Sequence, residues 1–314
     1  MAKPHILVFG DYDTWDREPM EAVYEAHYAS KDGAVDHLSE EIRDSIEAFA
    51  FRGHSFLGAQ VMDRFPKLSL IANLGVGYDT IDVEHASSRE IKVTNTPDVL
   101  TSDVADLGVG MMIVQCRSML KASEWIASGH WQSKGEFALQ TKVSGKSVGI
   151  VGLGRIGRAV AERLQPFGMD IHYYSRTVQE TPDWTYHADI TQLAKNVDIL
   201  FVTLSGGPST KELVSAEVIK ALGPKGLLIN ISRGSTVDEK ALLDALESGD
   251  LGSAALDVFQ SEPNLDPRFL ALDNVLLQPH QSSGTIETRQ EMGKLQRANL
   301  AAHFAGQPLI TPVN

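Results

Sequence analysis

Val148-Gly149-Ile150-Val151-Gly152-Leu153-Gly154-Arg155-Ile156-Gly157 is an apolar run that ends in Gly-x-Gly-x-x-Gly and passes straight into a helical pattern over residues 155–167. A bare glycine triplet says little, but a strand before it and a helix after it give each glycine a task. Gly152 permits the tight turn, Gly154 lets a pyrophosphate approach the backbone, and Gly157 lets helix and strand pack closely. The helix N-terminus, at Arg155 and Ile156, then offers free N–H groups and the positive end of its dipole to phosphate. The motif reads as a dinucleotide site. The end of the following strand selects the nicotinamide. There a carboxylate would hold a ribose 2′-hydroxyl and repel a 2′-phosphate. The sequence has Tyr173-Tyr174-Ser175-Arg176-Thr177, with no Asp or Glu between Ile171 and Gln179. Ser175 and Thr177 can donate to a phosphate and Arg176 can pair with it through its planar fork. NADP(H) is expected to be preferred, with NAD(H) as the other possibility; the plainer reading of Arg176 is a solvated loop charge.

Outward from this motif, short apolar runs alternate with longer amphipathic ones. Runs at 5–9, 68–73 and 91–94 precede it, and runs at 170–174, 198–204, 226–231, 253–256 and 275–277 follow it. Alternation of this kind predicts parallel sheets with helices on both faces. A helix is expected over 101–118, with Thr101 or Ser102 as cap and an apolar face of Val104, Leu107, Gly108, Met111, Met112 and Val114. It follows the loop Asn95-Thr96-Pro97-Asp98, where the chain would cross from a first domain to a second. The apolar helix 295–304 has no strand after it and would return to the first domain. Residues 1–98 with 287–314 are therefore expected to form one domain and 99–286 the other, face to face across a ligand cleft.

The 314 residues suit two such domains, and 43% hydrophobic with 22% charged residues is a globular composition. The net charge of −13 disfavours nucleic acid and anionic membrane surfaces as partners. The single cysteine, Cys116, forms no internal disulfide. Met1-Ala2-Lys3-Pro4-His5 runs into an apolar stretch too short for a signal-peptide core, and no run reaches the roughly 18 apolar residues of a membrane helix. A cytoplasmic location is expected. No metal-ligand set is read.

Three further segments put an ionisable residue just past a strand's C-terminal end, where α/β sheets bind ligands. These are Asn230-Ile231-Ser232-Arg233-Gly234, then Leu256-Asp257-Val258-Phe259 with Glu262-Pro263, then Gln278-Pro279-His280 running into Ser282-Ser283-Gly284. An Arg can hold a carboxylate or polarise a carbonyl, and a His near a Glu is an oriented acid/base. Together they suit reduction of a ketoacid beside a nicotinamide. Singly, Arg233 reads as a surface ion pair, Glu262 as a turn residue before proline and His280 as a loop histidine.

In order along the chain, Asn73-Leu74-Gly75-Val76-Gly77-Tyr78-Asp79, Val93-Thr94-Asn95-Thr96-Pro97, Asp103-Val104-Ala105-Asp106, the glycine motif, the Arg233, Asp257, Glu262 and His280 segments, and Glu287-Thr288-Arg289 resemble the D-isomer-specific 2-hydroxyacid dehydrogenase family. The likeness covers nearly the whole chain. It is nearest the NADP-preferring branch that reduces glyoxylate, hydroxypyruvate or hydroxyphenylpyruvate. The resemblance implies two doubly wound parallel-sheet α/β domains, a Rossmann-type cofactor domain and a flavodoxin-like substrate domain.

It also implies roles. His280 would protonate the keto oxygen, with Glu262 on its other ring nitrogen favouring the protonated form. Arg233 would bind the substrate carboxylate and keto oxygen. The N–H groups of Val76 and Gly77 would bind the same carboxylate in a nest. Asp257 would accept from the nicotinamide carboxamide, and Thr203, Leu204, Ile231, Ser282 and Gly284 would line the cofactor site.

Many members carry Gly two residues past the histidine. Here it is Ser282, which bears on substrate choice and not on reaction type. With the sequence ending soon after its return helix, no added regulatory domain is expected. A homodimer built on residues 123–143, with Trp125, Trp131 and Phe137, and on the 101–118 helix is expected; the alternative is that these rings pack within one subunit. Substrate pocket walls are expected around 51–56. Two rival functions are a dinucleotide-sensing corepressor, which would need partner-binding segments not seen here, and an NAD-linked formate dehydrogenase, whose histidine has a different partner from Glu262.

Overall fold

The computed structural model describes residues 3–53 and 55–314, so His54 of the 51–56 stretch, like Met1 and Ala2, lies outside the described residues. The chain divides into two compact units, Met1–Leu100 with Ser283–Asn314, and Thr101–Ser282.

The first unit is a five-stranded parallel sheet of β1 (His5–Phe9), β2 (Glu25–Tyr28), β3 (Ile46–Phe51), β4 (Leu70–Asn73) and β5 (Lys92–Thr94), in the order β2-β1-β3-β4-β5. That is the flavodoxin-like order. Both faces are covered, so β1, β3 and β4 are nearly continuous apolar runs. Alternate residues split between two cores. Leu7, Phe9, Phe49, Phe51, Ile71 and Val93 face one way, and Phe9 and Phe65 meet Phe49 edge-on with centroids 5.1 and 5.0 Å away. Ile6, Val8, Ala48, Ala50, Leu70 and Ala72 face the other, against Met20 and Tyr24 of the helix Thr14–Val23 and Leu300 of the C-terminal helix Ile286–Phe304. That last helix also inserts Gln296, whose Nε2 donates to the Ala72 carbonyl at 2.8 Å and to the Tyr12 hydroxyl at 2.9 Å.

The second unit holds seven parallel strands: β6 (Ser147–Val151), β7 (Asp170–Tyr174), β8 (Thr185–His187), β9 (Ile199–Val202), β10 (Leu227–Asn230), β11 (Ser253–Leu256) and β12 (Val275–Leu277). Their order, β12-β11-β10-β9-β6-β7-β8, reverses between β6 and β9. This is the Rossmann switch point, outside which α/β sheets bind ligands. The helix Thr101–Cys116 buries Val104, Ala105, Gly108, Val109, Met111, Met112 and Cys116. Gly108 lets this helix approach the sheet closely: a Cβ on it would stand 2.8 Å from Ile231 Cδ1.

Three strands go beyond the sequence expectation. β2 and β8 are short strands at sheet edges, Glu-Ala-His-Tyr and Thr-Tyr-His, with no apolar run to betray them. β3 is apolar but follows the helix Glu40–Ser45 without a break, which hides its start. The helix expected over 155–167 ends as α-helix at Leu164 and finishes as a 3₁₀ turn, Gln165–Phe167. Pro166 lacks an N–H and its ring would crowd the Glu162 carbonyl, so the α pattern stops. Among the described residues no helix is long and apolar enough to cross a membrane.

Candidate active site

The glycine loop joins β6 to the helix Arg155–Leu164. Gly152 has φ +97°, in the left-handed region that favours glycine. Gly157 is the packing glycine. A Cβ on it would lie 2.2 Å from the Gly152 carbonyl and 2.8 Å from Thr203 Oγ1. Thr203 follows β9 and donates its hydroxyl to that carbonyl at 2.7 Å, so it fixes the loop from beneath. Gly154 is the open one: a Cβ there meets nothing within 4 Å, and the helix behind it starts with no side-chain cap. Uncapped N–H groups facing a cleared space fit a pyrophosphate. At the end of β7 the Ser175 hydroxyl donates to the Thr177 carbonyl at 2.5 Å and Thr177 Oγ1 accepts from Gln179 Nε2 at 3.0 Å. Arg176 is exposed, and no carboxylate lies among its sequence neighbours.

Arg233 stands beyond β10 on a turn built by its neighbours. Its carbonyl accepts from Asn230 Nδ2 (3.0 Å) and Thr236 Oγ1 (2.6 Å), and Asn230 Oδ1 takes the Ser232 N–H and hydroxyl at 3.0 and 2.8 Å. Its guanidinium donates to the Ser232 carbonyl at 2.8 Å. Gly234 leaves no room for a side chain, because a Cβ would be 2.0 Å from the Phe259 carbonyl carbon. The Arg233 turn therefore sits on the segment that leads to Glu262.

Glu262 uses both oxygens. Oε1 accepts from the Phe259 N–H at 2.8 Å, and Oε2 lies 2.6 Å from His280 Nδ1. An ionised carboxylate only accepts, so with Glu262 ionised Nδ1 carries the hydrogen of that bond. His280 has φ +50°, unusual for a residue with a side chain. Asp257 holds it there: its carbonyl accepts the His280 N–H at 2.8 Å, and its carboxylate accepts the N–H groups of Gln281 (2.8 Å) and Ser282 (2.9 Å). Asp257 is 0% exposed. Burial pushes its carboxyl up, opposed by those two N–H bonds and by His280. What its bonds show is a tether for the His280 loop. Ile231, expected along the cofactor, is 4% exposed and packs on Gly108. Its side chain takes part in the helix–sheet contact.

In the first unit, Val76 and Gly77 lie on the half-buried loop after β4. Asn73 Nδ2 donates to the carbonyls of Gly75 (3.2 Å) and Gly77 (2.9 Å), and Asn95 Nδ2 to that of Val76 (2.8 Å). Asn73, Asn95 and Asn230 stand inside the quoted motifs, but the sequence alone assigns them no role. The available signal was an amide side chain at the last residue of a strand or just past it, at the start of a loop.

A family profile described as D-isomer specific 2-hydroxyacid dehydrogenase, NAD binding domain, matches residues 109–282. The chain is 46% identical over 270 residues to a hydroxyphenylpyruvate reductase of Plectranthus scutellarioides, covering 86% of each chain. A 2-hydroxyacid dehydrogenase from Ketogulonicigenium vulgare superposes with a TM-score of 0.94 at 50% identity, covering 100% of this chain and 99% of that one. An NADPH-dependent glyoxylate/hydroxypyruvate reductase from Sinorhizobium meliloti, solved with NADP and malonate, superposes with a TM-score of 0.93 at 41% identity, over 99% and 97% of the two chains. With its two parallel-sheet units, its glycine loop and this similarity along its length, the chain belongs to the D-isomer specific 2-hydroxyacid dehydrogenase family.

Proposed function

We propose that this protein reduces a small 2-ketoacid, namely glyoxylate, hydroxypyruvate or an aryl pyruvate, to the D-2-hydroxyacid with NADPH. The observation that carries the reading is the Glu262–His280 pair at 2.6 Å, with the second oxygen of Glu262 held by a backbone N–H. A nicotinamide, when bound, supplies the hydride. His280 Nε2–H then gives its proton to the keto oxygen, and the Glu262 carboxylate stabilises the imidazolium that must be present beforehand. Arg233 holds the substrate carboxylate and draws charge from the carbonyl. The N–H groups of Val76 and Gly77 are donors for a substrate carboxylate. Gly152, Gly154, Arg155, Ile156 and Gly157 hold the pyrophosphate. Thr203, Leu204, Asp257, Ser282 and Gly284 surround the rest of the dinucleotide. Ser175, Arg176 and Thr177 take a 2′-phosphate.

Relatives named for glyoxylate, hydroxypyruvate and hydroxyphenylpyruvate reduction support the substrate class, and a relative solved with NADP supports the cofactor. Purified protein should oxidise NADPH with glyoxylate and hydroxypyruvate, more slowly with NADH, and should not reduce NAD with formate. Formate oxidation, or no turnover with any ketoacid, would overturn the proposal.

A further inference from the structure

We infer that Asn73 and Asn95 are positioning residues that turn the loop after β4 into a three-donor anion nest, adding the N–H of Tyr78 to those of Val76 and Gly77. The inference rests on the proposed ketoacid reading of that loop and deepens it. A trans peptide is planar, so the C=O of one residue and the N–H of the next point in opposite directions. Whatever holds a carbonyl on one side of a loop presents the following N–H on the other.

Three consecutive carbonyls are held in this way. The Gly75 carbonyl accepts from Asn73 Nδ2 at 3.2 Å and from the Thr96 N–H at 2.9 Å. The Val76 carbonyl accepts from Asn95 Nδ2 at 2.8 Å, and the Gly77 carbonyl from Asn73 Nδ2 at 2.9 Å. Each of the N–H groups of Val76, Gly77 and Tyr78 is thereby turned away from the amide that holds the carbonyl before it, and among the described residues none of them donates a hydrogen bond. Consecutive N–H groups on one side form a concavity for an anion. The amide sense is unambiguous, because every partner is a carbonyl and only the NH₂ can donate to it.

The supports are themselves fixed. Asn73 is 5% exposed at the end of β4. Asn95 follows β5, the neighbouring strand, and its carbonyl accepts from Thr311 Oγ1 at 2.6 Å. Asn299 of the C-terminal helix holds Thr311 in turn, through its Oγ1 at 2.9 Å and its N–H at 3.2 Å. The nest is pre-formed by side chains that touch no substrate.

Asn73→Asp tests this without changing size: an acceptor replaces the donor, and two carbonyls then face a carboxylate. Asn95→Ala removes a single bond at a partly exposed site and serves if Asn73→Asp folds poorly. The readouts are kcat/KM for glyoxylate and for its methyl ester, and calorimetric binding of oxalate to the NADP-saturated protein. Expected are a loss of about tenfold or more in glyoxylate kcat/KM, carried mainly by KM, a matching loss in oxalate affinity, and a change under about threefold for the ester, the scale of one lost charge-assisted bond. Equal losses for acid and ester, or unchanged oxalate binding, would overturn the inference. Oxalate binding that depends on Asn73 or Asn95 in a protein inactive on every ketoacid would uphold the nest and overturn the reductase reading alone. A wild-type protein that binds no oxalate would overturn the inference, and one that also turns over no ketoacid would overturn both.

Discussion

At His280, Nδ1 lies 2.6 Å from Glu262 Oε2, and in the proposed reaction Nε2 carries the proton that moves. Replacing His280 with Ala should lower kcat by about 10²–10⁴, the usual worth of a positioned acid, while NADPH binding, measured by fluorescence titration, stays within a factor of two or so. Glu262→Gln keeps a hydrogen-bond partner and removes its charge. The imidazolium then loses a stabilising anion, so ketoacid reduction should need more acid and its falling limb should move to lower pH. The reverse reaction, which needs neutral His280, should extend to lower pH as well. An unchanged pH profile would refute the assigned pair. The exposed Arg176 gives a second expectation at this scale. Arg176→Ala should raise KM for NADPH about tenfold or more, the equivalent of the ~1.5–3 kcal/mol of a bond to a charged group, and leave NADH nearly untouched. Equal losses for both cofactors would count against a phosphate contact.

Elements set what each glycine can tolerate. The first turn of the helix Arg155–Leu164 presses Gly157 against the Gly152 carbonyl, whereas Gly154 faces open space. Gly157→Ala should therefore destabilise the protein by about 1–3 kcal/mol of overpacking, seen as a lower Tm. Gly154→Ala should leave Tm nearly unchanged and weaken NADPH binding, because its Cβ enters the pyrophosphate's space. A pair of variants with the same Tm would show that this loop is not packed as described.

The other end of β6 carries a pH dependence. Burial raises the Asp198 carboxyl, but bonds from the Ser147 N–H and hydroxyl and from Lys146 outweigh it and hold it below the usual range. A carboxylate lowered on folding adds stability above its unfolded value, and that stability is lost as pH falls through the folded value. Asp198→Asn should flatten the acid limb of the stability–pH curve and leave the slope above about pH 6 unchanged, as urea midpoints across pH 3–7 would reveal.

For the whole molecule, the segment expected to join subunits divides into two parts. Trp125 packs on His130 and Phe137, with centroids 4.9 and 5.7 Å away, and its Nε1 donates to the Gly135 carbonyl. Those rings serve the subunit itself. Trp131, Leu120, Ile126 and Leu139 are each 60% exposed or more, a concentration of apolar surface that suits a partner. The proposed homodimer should scatter light as twice the 34.2 kDa chain at micromolar concentration, and Trp131→Glu should shift it toward monomer. A wild-type monomer would refute it.

Much of this molecule was legible along its chain because the reasons were local. Gly152, Gly154 and Gly157 act within one strand-turn-helix unit, and their spacing alone states the turn, the approach and the packing contact. The missing carboxylate after β7 is likewise a fact about consecutive residues. The strand runs, apolar on both faces, announced parallel sheets. What the chain could not show depends on which strands lie side by side. Glu262 reaches His280 because β11 and β12 are neighbours, so residues 18 apart meet at 2.6 Å. Asn73 and Asn95 converge on one loop because Ala72 pairs with Thr94 in the register of β4 and β5. Ile231, polar on both sides in sequence, is claimed by a helix that closes on the sheet. The edge strands β2 and β8 have too little apolar pattern to declare themselves, and they exist because a finished neighbour offers unpaired N–H and C=O groups to bond. Periodicity and spacing are properties of neighbours in the chain, whereas register, burial and tethering are properties of neighbours in space, and only the folded sheet decides those.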